Sequence, residues 1–463
     1  MTSVTVCPRS RATAVLARVT INLSLLRAAA MPEILSTRRR HRATTWALAI
    51  FCLVSIVISG RQTFWYLSHG PTVSDFRIFM TGIDMVRSGE GRNLYQFEAQ
   101  KRAQARLYPE TSISGLLPFN HLAFELLYYW PVSWLTYRAA IVAWASINLG
   151  IVFLIAWLMR PYTWAFSQRT GIPIAFFLLA FYPVMFTLGE GQDSLIFLFL
   201  LVLSLRAMDA NRPSVAGFVL ALAFFKLHLA LALAFFVFFL RGKWRGLAGF
   251  AAGCALVVGI SAAMVGPRMI PDYLSMLQKQ AEVTPWGFIP WYMPNLRGIL
   301  QWELGAWIDI GTIIPIIFMF SVAIAVVGGW IILRMKGREE QSLVFSAAIL
   351  TTILISYHFH MQDLSIAALP MLVLLNRCTG PSGDEQSATS RMPEAEFSPL
   401  WSAAGSASVT VLYLFRPVSE ACPWLIFHGC LLCVPLLFLW LVSLRLASAR
   451  HPASYKLLAL QTT

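Results

Sequence analysis

The chain has 463 residues, of which 57% are hydrophobic and 13% are charged, and its mean hydropathy is +0.65. Soluble domains carry roughly 25% charged residues, so this composition excludes a water-exposed globular enzyme, and the hydrophobicity excludes a disordered chain. The apolar runs are continuous rather than alternating, which excludes a membrane β-barrel and predicts an all-α polytopic membrane protein. The net charge is +14. The basic residues lie mostly between the apolar runs, as membrane topology requires, so no nucleic-acid partner is expected.

Residues 1–43 form a basic segment that carries eight arginines and one acidic residue, Glu33. A basic cluster at 38–42 directly precedes the first apolar run, which predicts that the N-terminus lies in the cytoplasm. Met31 offers a second and more ordinary start, so residues 1–30 are interpreted either as a start-site artefact or as a loose basic tail.

Residues 44–445 are predicted to form a single transmembrane domain of about 11–12 helices, because a span needs roughly 17–25 apolar residues. A cytoplasmic tail is expected at 446–463. The polar stretches 67–137 and 267–310 are expected as outer loops with short helices, and 116–135 as a helix that lies in the interface or re-enters the membrane. The predicted spans are 44–66, 138–159, 172–188, 193–208, a broken run at 214–240, 246–266, 311–333, 342–357, 364–376, 400–416 and 423–445.

The run at 214–240 is long enough for one span, but Arg212 and Arg241 flank it and both favour the cytoplasm. Lys226 and His228 lie at its middle. Two half-helices that meet at Lys226 would satisfy both flanks, since irregular backbone at that depth is tolerated where it lines a polar cavity. Lys226 is roughly 20 Å of helix from either flank, which is far for its ammonium to snorkel. The position therefore favours a phosphate-binding role over snorkelling.

Asp75 opens an amphipathic helix in the first outer loop, and Gly89 is a plausible stop for it. The helix dipole favours an ionised carboxylate in the first turn, and an ionised carboxylate suits a general base at neutral pH. The alternative interpretation is plain stabilisation of the helix N-terminus.

Two other turns present polar side chains. The turn at 189–193 could offer Gln192 and Asp193 to a ligand, or it is simply a short polar hairpin connection. His358 and His360 lie at the outer end of a span, and their i, i+2 spacing does not place both on one helix face. The pattern gives only weak support for a metal site. It is consistent with one imidazole that contacts a phosphate or a sugar, and also with ordinary histidines at the membrane interface.

Several motifs are missing. The sequence contains no Asp-x-Asp, no phosphate-binding P-loop, no dinucleotide fingerprint and no HExxH. The usual acidic metal clamp for a nucleotide sugar is thus absent, and no metal or other cofactor is expected.

Several residues and segments follow one another along the chain in an order that matches a known family. They are Asp75 after the first span, the segment 89–95 that ends at Tyr95, a Pro-aromatic segment at 118–134, the Gly191-Gln192 turn, Lys226 in a broken apolar run, Asn295 in the second outer loop and the turn from His358 to Asp363. In this order and spacing the chain resembles the bacterial polyprenol-phosphate-mannose-dependent mannosyltransferases of glycosyltransferase family 87, over about residues 44–376. The family has a GT-C-type membrane fold.

The resemblance implies a role for each matched position. Asp75 would be the catalytic base that takes a proton from the acceptor hydroxyl. Lys226, with His228 or His358, would hold the donor phosphate. The resemblance further implies substrate-binding roles for Tyr95, Gln192, Asp193, Asn295 and His360.

The implied reaction moves a hexose, mannose by the resemblance, from a polyprenyl-phosphate donor to a glycolipid or glycan at the outer face of the bacterial cytoplasmic membrane. Membrane lipids, the donor and the acceptor are the expected partners. A transporter or flippase for a lipid-linked or polar solute is the alternative, and a non-catalytic membrane partner is a third possibility. The single Asp in the first outer loop and the lack of inverted repeats favour the enzyme.

Overall fold

The computed structural model describes residues 43–72, 74–109, 116–283, 289–335, 341–378 and 399–448. The predicted basic segment 1–43 and the tail 446–463 therefore lie almost wholly outside the described residues. Within those ranges the chain forms α-helices and short 3-10 turns and contains no strand, so the prediction of an all-α polytopic membrane protein is confirmed. The helices are α1 (Ala43–His69), α2 (Phe76–Arg87), α3 (Phe97–Leu107), α4 (Leu126–Tyr129), α5 (Tyr137–Leu158), α6 (Arg160–Thr170), α7 (Ile174–Ala180), α8 (Tyr182–Glu190), α9 (Ser194–Asp209), α10 (Pro213–Ala221), α11 (Leu227–Ala234), α12 (Trp244–Val265), α13 (Met269–Val283), α14 (Leu296–Leu304), α15 (Ile310–Arg334), α16 (Gln341–Ile355), α17 (Ala368–Cys378), α18 (Pro399–Ala421) and α19 (Cys433–Ser448).

Five described helices are long and apolar enough to cross a membrane: α1, α5, α12, α15 and the segment His428–Ala447 that contains α19. A bent pair formed by α10 and the helical segment Phe224–Phe239 adds a sixth if it counts as one span. Only 17% of the most apolar window of α1 and of α15 is buried inside the protein, so the remaining apolar surface of these helices is available to lipid.

Most of the other predicted spans are shorter helices, whereas α18 has 23 residues but is not among the helices apolar enough to count as a span. The run 172–188 is divided into α7 and α8 at Phe181, because Pro183 in the first turn of α8 has no N–H to donate back into α7. The run 423–445 begins as a 3-10 segment, Pro423–Leu432, before α19 starts. The helix α16 is buried over almost its whole length, so its many apolar side chains pack against protein, and its 15 residues are too few to span a bilayer alone.

The predicted interfacial helix at 116–135 is wrong as a continuous element. The backbone is irregular at 116–122 and then forms three short helical turns, Ala123–Glu125, α4 and Trp130–Val132. Pro118 and Pro131 cannot donate helical hydrogen bonds, which breaks the segment at both ends. These turns nevertheless bury Phe124, Leu126 and Tyr129 against the core.

The predicted break at Lys226 is confirmed. The helix α10 ends at Ala221, a 3-10 turn occupies Phe224–Lys226, and α11 begins at Leu227. The two halves are bent by 72°. Lys226 thus lies at the corner between two short helices, where backbone polar groups and a charged side chain must be satisfied by neighbouring protein.

Glycines let α10 lie directly against α12. A Cβ atom added to Gly217 would stand 1.8 Å from the carbonyl oxygen of Gly246, and one added to Gly249 would stand 2.0 Å from that of Ser214. Side chains at these positions would force the backbones apart, so the contact depends on small residues, as is common between membrane helices.

Replacing Gly249 by Ala is therefore expected to destabilise the fold by about 1–3 kcal/mol, the usual cost of overpacking. Gly259→Ala, in the same helix, is the matched control, because a Cβ there meets nothing within 4 Å. Thermal unfolding of both variants in one detergent measures the difference. Equal midpoints for the two variants would show that the α10–α12 contact yields without cost.

Candidate active site

Asp75 lies just before α2, whose apolar face is packed into the core. It occupies the N-cap position, but its side chain makes no capping hydrogen bond. Its Oδ2 instead accepts a hydrogen bond of 2.6 Å from Nε2 of Gln192, and the residue stays partly exposed. The carboxylate is held by a distant turn rather than by its own helix, so helix stabilisation does not account for its orientation.

The turn that carries Gln192 is the predicted tight connection. The helix α8 ends at Glu190, and Gly191 adopts a left-handed φ of +69°. The backbone N–H of Asp75 donates to Oε2 of Glu190 at 3.3 Å, and the Ser74 hydroxyl donates to the Glu190 carbonyl oxygen at 2.9 Å. These contacts seat the start of α2 on the turn between α8 and α9.

Asp75 and Glu190 are thus neighbouring carboxyl groups with different environments. Burial raises the pKa of Asp75, while the hydrogen bond from Gln192 and the charges of His360, Arg77 and Lys226 oppose that rise. Burial and the nearby charge of Asp75 raise the pKa of Glu190 well above its usual value. The charge of Asp75 raises the pKa of Glu190, whereas Gln192 and three neighbouring charges lower that of Asp75, so of the two carboxyl groups Asp75 is the better placed to ionise and accept a proton.

Lys226 is buried, and two carboxylates face its ammonium group. Nζ lies 2.8 Å from Oδ1 of Asp193 and 2.6 Å from Oδ1 of Asp363. Asp363 also accepts hydrogen bonds from the Ser194 hydroxyl and from the backbone N–H of His360. The structure brings the predicted residues Lys226 and Asp193 together, but as an ion pair whose positive charge is already balanced.

The three predicted histidines lie on one surface beside this ion pair. The Nε2 atom of His228 is 2.7 Å from the carbonyl oxygen of His358, and the rings of His358 and His360 are 4.4 Å apart. Burial, followed by the neighbouring His360 and His228, lowers the pKa of His358. A neutral imidazole at this position adds no positive charge to the surface.

A second cluster adjoins Asp193 on its other side. The Nδ1 atom of His121 lies 2.5 Å from Oε2 of Glu125 and 3.5 Å from Oδ2 of Asp193. Glu125 and Asp193 are fully buried, and His121 is partly exposed. Asp193 therefore connects the two clusters, since its Oδ1 faces Lys226 and its Oδ2 faces His121.

The family model described as Glycosyltransferase family 87 matches residues 123–356, just over half of the chain. The chain belongs to glycosyltransferase family 87. No curated protein and no solved structure matches it. The matched range includes Gln192 and Lys226 and begins after Asp75. Membership of this family makes the chain a membrane glycosyltransferase. Its carboxyl groups Asp75, Glu190 and Asp193 lie at the start of α2, the end of α8 and the start of α9.

Two predicted substrate-binding residues of this glycosyltransferase have other partners. The Asn295 side chain is buried, accepts from the backbone N–H of Gly298 and donates to the carbonyl oxygen of Ser356. The hydroxyl of Tyr95 donates to the His121 carbonyl oxygen and accepts from the N–H of Ala123. Both side chains therefore fix neighbouring backbone, and their substrate-binding role stays a prediction.

The sequence interpretation missed four polar residues of this glycosyltransferase site: Arg77, His121, Glu125 and Glu190. His121 and Glu125 stand in a segment read as a continuous interfacial helix, and nothing in the linear pattern places them against Asp193. One signal was available, because a glutamate inside an apolar stretch is rarely buried without a partner.

Proposed function

We propose that the chain transfers a hexose, mannose by the family resemblance, from a polyprenyl-phosphate donor to a glycolipid or glycan acceptor. The polyprenyl tail lies in lipid, and the sugar and phosphate meet the acceptor at the outer face of the cytoplasmic membrane. No nucleotide takes part in this reaction.

Asp75 is the general base of the proposal. Its carboxylate removes the proton of the acceptor hydroxyl as that oxygen attacks the anomeric carbon, and the bond from that carbon to the phosphate oxygen breaks. The observation that carries the proposal is the partly exposed Asp75 carboxylate, whose Oδ2 accepts a hydrogen bond of 2.6 Å from Nε2 of Gln192. A base that is oriented but not ion-paired keeps its proton affinity.

The departing phosphate requires electrostatic stabilisation. We place it against the surface formed by His228, His358 and His360, beside Lys226. Since Asp193 and Asp363 already pair with Lys226, the ammonium acts mainly by holding these two carboxylates, and the three imidazoles form the polar surface against which the phosphate lies. Gln192 orients the base rather than the sugar.

The test is a transfer assay on the full chain in lipid nanodiscs, with synthetic polyprenyl-phosphate-mannose and a panel of glycolipid acceptors. Mass spectrometry of the acceptor is expected to show the gain of one hexose and the release of polyprenyl phosphate. Donor binding without transfer to any acceptor would contradict the proposal and would favour transport of the lipid-linked sugar.

Gln192→Leu provides a test by pH. The substitution removes the hydrogen bond that lowers the pKa of Asp75, so the pKa rises further above that of an ordinary Asp. Because the base acts only when ionised, the acid limb of the kcat/KM profile is expected to move to higher pH. Gln96→Leu, at an exposed position, should leave the limb in place. If the acid limb does not move in Gln192→Leu, the group that titrates in this limb is not Asp75, and the proposed base is wrong.

A further inference from the structure

We propose that His121, Glu125 and Asp193 bind one divalent transition-metal ion, Zn²⁺ or Mn²⁺, next to Lys226. One imidazole nitrogen and two carboxylate oxygens are ligands that both ions accept. The three ligand atoms all lie within 4.8 Å of one another. His121 lies in the irregular backbone before a short 3-10 turn, Glu125 ends that turn, and Asp193 lies just before α9, so no Asp-x-Asp motif is needed.

The distances are close to those of a closed ligand set. Ligand atoms that share one ion at about 2.0–2.2 Å stand roughly 3–3.5 Å apart. The 3.5 Å between His121 Nδ1 and Asp193 Oδ2 already fits this range. The 2.5 Å between His121 Nδ1 and Glu125 Oε2 is a hydrogen bond, so entry of the ion requires these two groups to separate by about 0.5–1 Å, which rotation of their side chains provides.

The buried carboxyl groups of the cluster are held together by a proton. Oε1 of Glu125 and both carboxylate oxygens of Asp193 meet no N–H or hydroxyl donor that satisfies them among the described residues, although Oδ1 of Asp193 is ion-paired with Lys226. The Glu125 and Asp193 carboxyl groups instead hydrogen-bond each other, which takes one proton between them. Both residues are fully buried. A buried carboxylate oxygen without a donor costs free energy unless a proton or a cation reaches it. A metal ion would supply that cation.

The charges point the same way. Glu125, Asp193 and Asp363 are three buried carboxyl groups around one ammonium, that of Lys226. A divalent ion at His121 would balance this set. Partly exposed His121 is the side from which the ion can enter, since Glu125 and Asp193 are closed to solvent. The bonds from Tyr95 to the backbone at His121 and Ala123 hold the ligand segment in position.

The ion also suggests how the donor is recognised, and this part rests on the proposed function. Asp193 directly follows Gln192, which binds the catalytic Asp75, so the cluster is next to the proposed base. A three-ligand ion keeps an open position. An oxygen of the donor phosphate that lies beside Lys226 would fill it, because Asp193 contacts both Lys226 and the proposed ion site, and the ion would supply positive charge that the ion-paired Lys226 cannot supply alone.

Metal binding is measured without reference to activity. The full chain, purified through a tag without histidines and stripped with chelator in nanodiscs, is titrated with Mn²⁺ and with Zn²⁺ separately. Elemental analysis after gel filtration gives the stoichiometry, and electron paramagnetic resonance of bound Mn²⁺ reports a nitrogen ligand. We expect one equivalent in the wild type. Glu125→Gln and His121→Gln should each bind at least about tenfold more weakly, because even an outer-shell loss costs about 10- to 100-fold.

Glu98→Gln, an exposed carboxylate in α3, is the matched control and should bind like the wild type. No stoichiometric binding of either ion by the wild type at millimolar concentration would overturn the proposal. Unchanged binding by both ligand variants would overturn it too, because the ion would then lie elsewhere. If the chain transfers hexose but binds no metal, the metal site is wrong and the proposed function stands. If the chain binds metal but transfers no hexose, the metal site stands and the proposed function is wrong.

Discussion

Asp75→Asn is expected to lower the rate of hexose transfer by about 10²- to 10⁴-fold, the range that a positioned general base contributes. Asparagine keeps the size of the side chain and can still meet Gln192, but it cannot take a proton from the acceptor hydroxyl. Donor binding should survive, because the proposed phosphate contacts lie on His228, His358 and His360. Single-turnover transfer and equilibrium binding of the donor, measured on the same nanodisc preparation, separate the two effects.

Glu190→Gln is the matched control for that experiment. The raised pKa of Glu190 favours its neutral form, and glutamine is neutral and has nearly the same shape as a protonated glutamate. Activity within about threefold of the wild type is expected, a change well below the loss of a base. If Glu190→Gln is inactive and Asp75→Asn is active, the roles of the two carboxyl groups are reversed.

Lys226→Met is expected to destabilise the protein by about 3–5 kcal/mol, because it leaves Asp193 and Asp363 buried without their shared cation. The expected observation is a large fall in the thermal unfolding midpoint in detergent. Lys226→Met combined with Asp363→Asn should recover part of the loss, since one of the two orphaned charges is then removed.

Arg106→Gln is the control for this ion pair. Arg106 is about half exposed and pairs with Asp84 at 2.6 Å, and an exposed pair contributes less than about 1 kcal/mol. Similar midpoints for Lys226→Met and Arg106→Gln would show that Lys226 does not stabilise the buried carboxylates. Its phosphate-binding role would then regain support.

Local features of the fold could be predicted where charge or backbone chemistry decided them. The break at Lys226 followed from two basic flanks around one apolar run, and the turn at 189–193 from its glycines. The sequence does not predict the division of the run 172–188 into α7 and α8. Pro183 indicates a break, but the run has the length and the apolar composition of one continuous span. Helices such as α16 cannot be told from spans by hydropathy, since burial in protein and burial in lipid select the same side chains.

The candidate site was predictable one residue at a time but not as an assembly. Asp75, Gln192 and Lys226 were recognisable as polar groups at membrane depth or at helix ends. Their pairing was not, because Lys226 and Asp363 lie 137 positions apart and only packing brings them to 2.6 Å. A lysine among apolar residues looks like a free cation in the sequence, and its two partners become visible only in three dimensions.

The close contact of α10 with α12 also bears on how the enzyme tolerates membranes of different thickness. The 22 residues of α12 measure about 33 Å, close to the hydrocarbon core of a bilayer, whereas the nine residues of α10 measure about 14 Å. A bilayer that does not match α12 is accommodated chiefly by tilt of the helix. Since the glycine contact leaves α10 no freedom to slide, Lys226 moves with α12 as that helix tilts. The depth of the ionic site is therefore set by the protein and not by the level of the lipid headgroups.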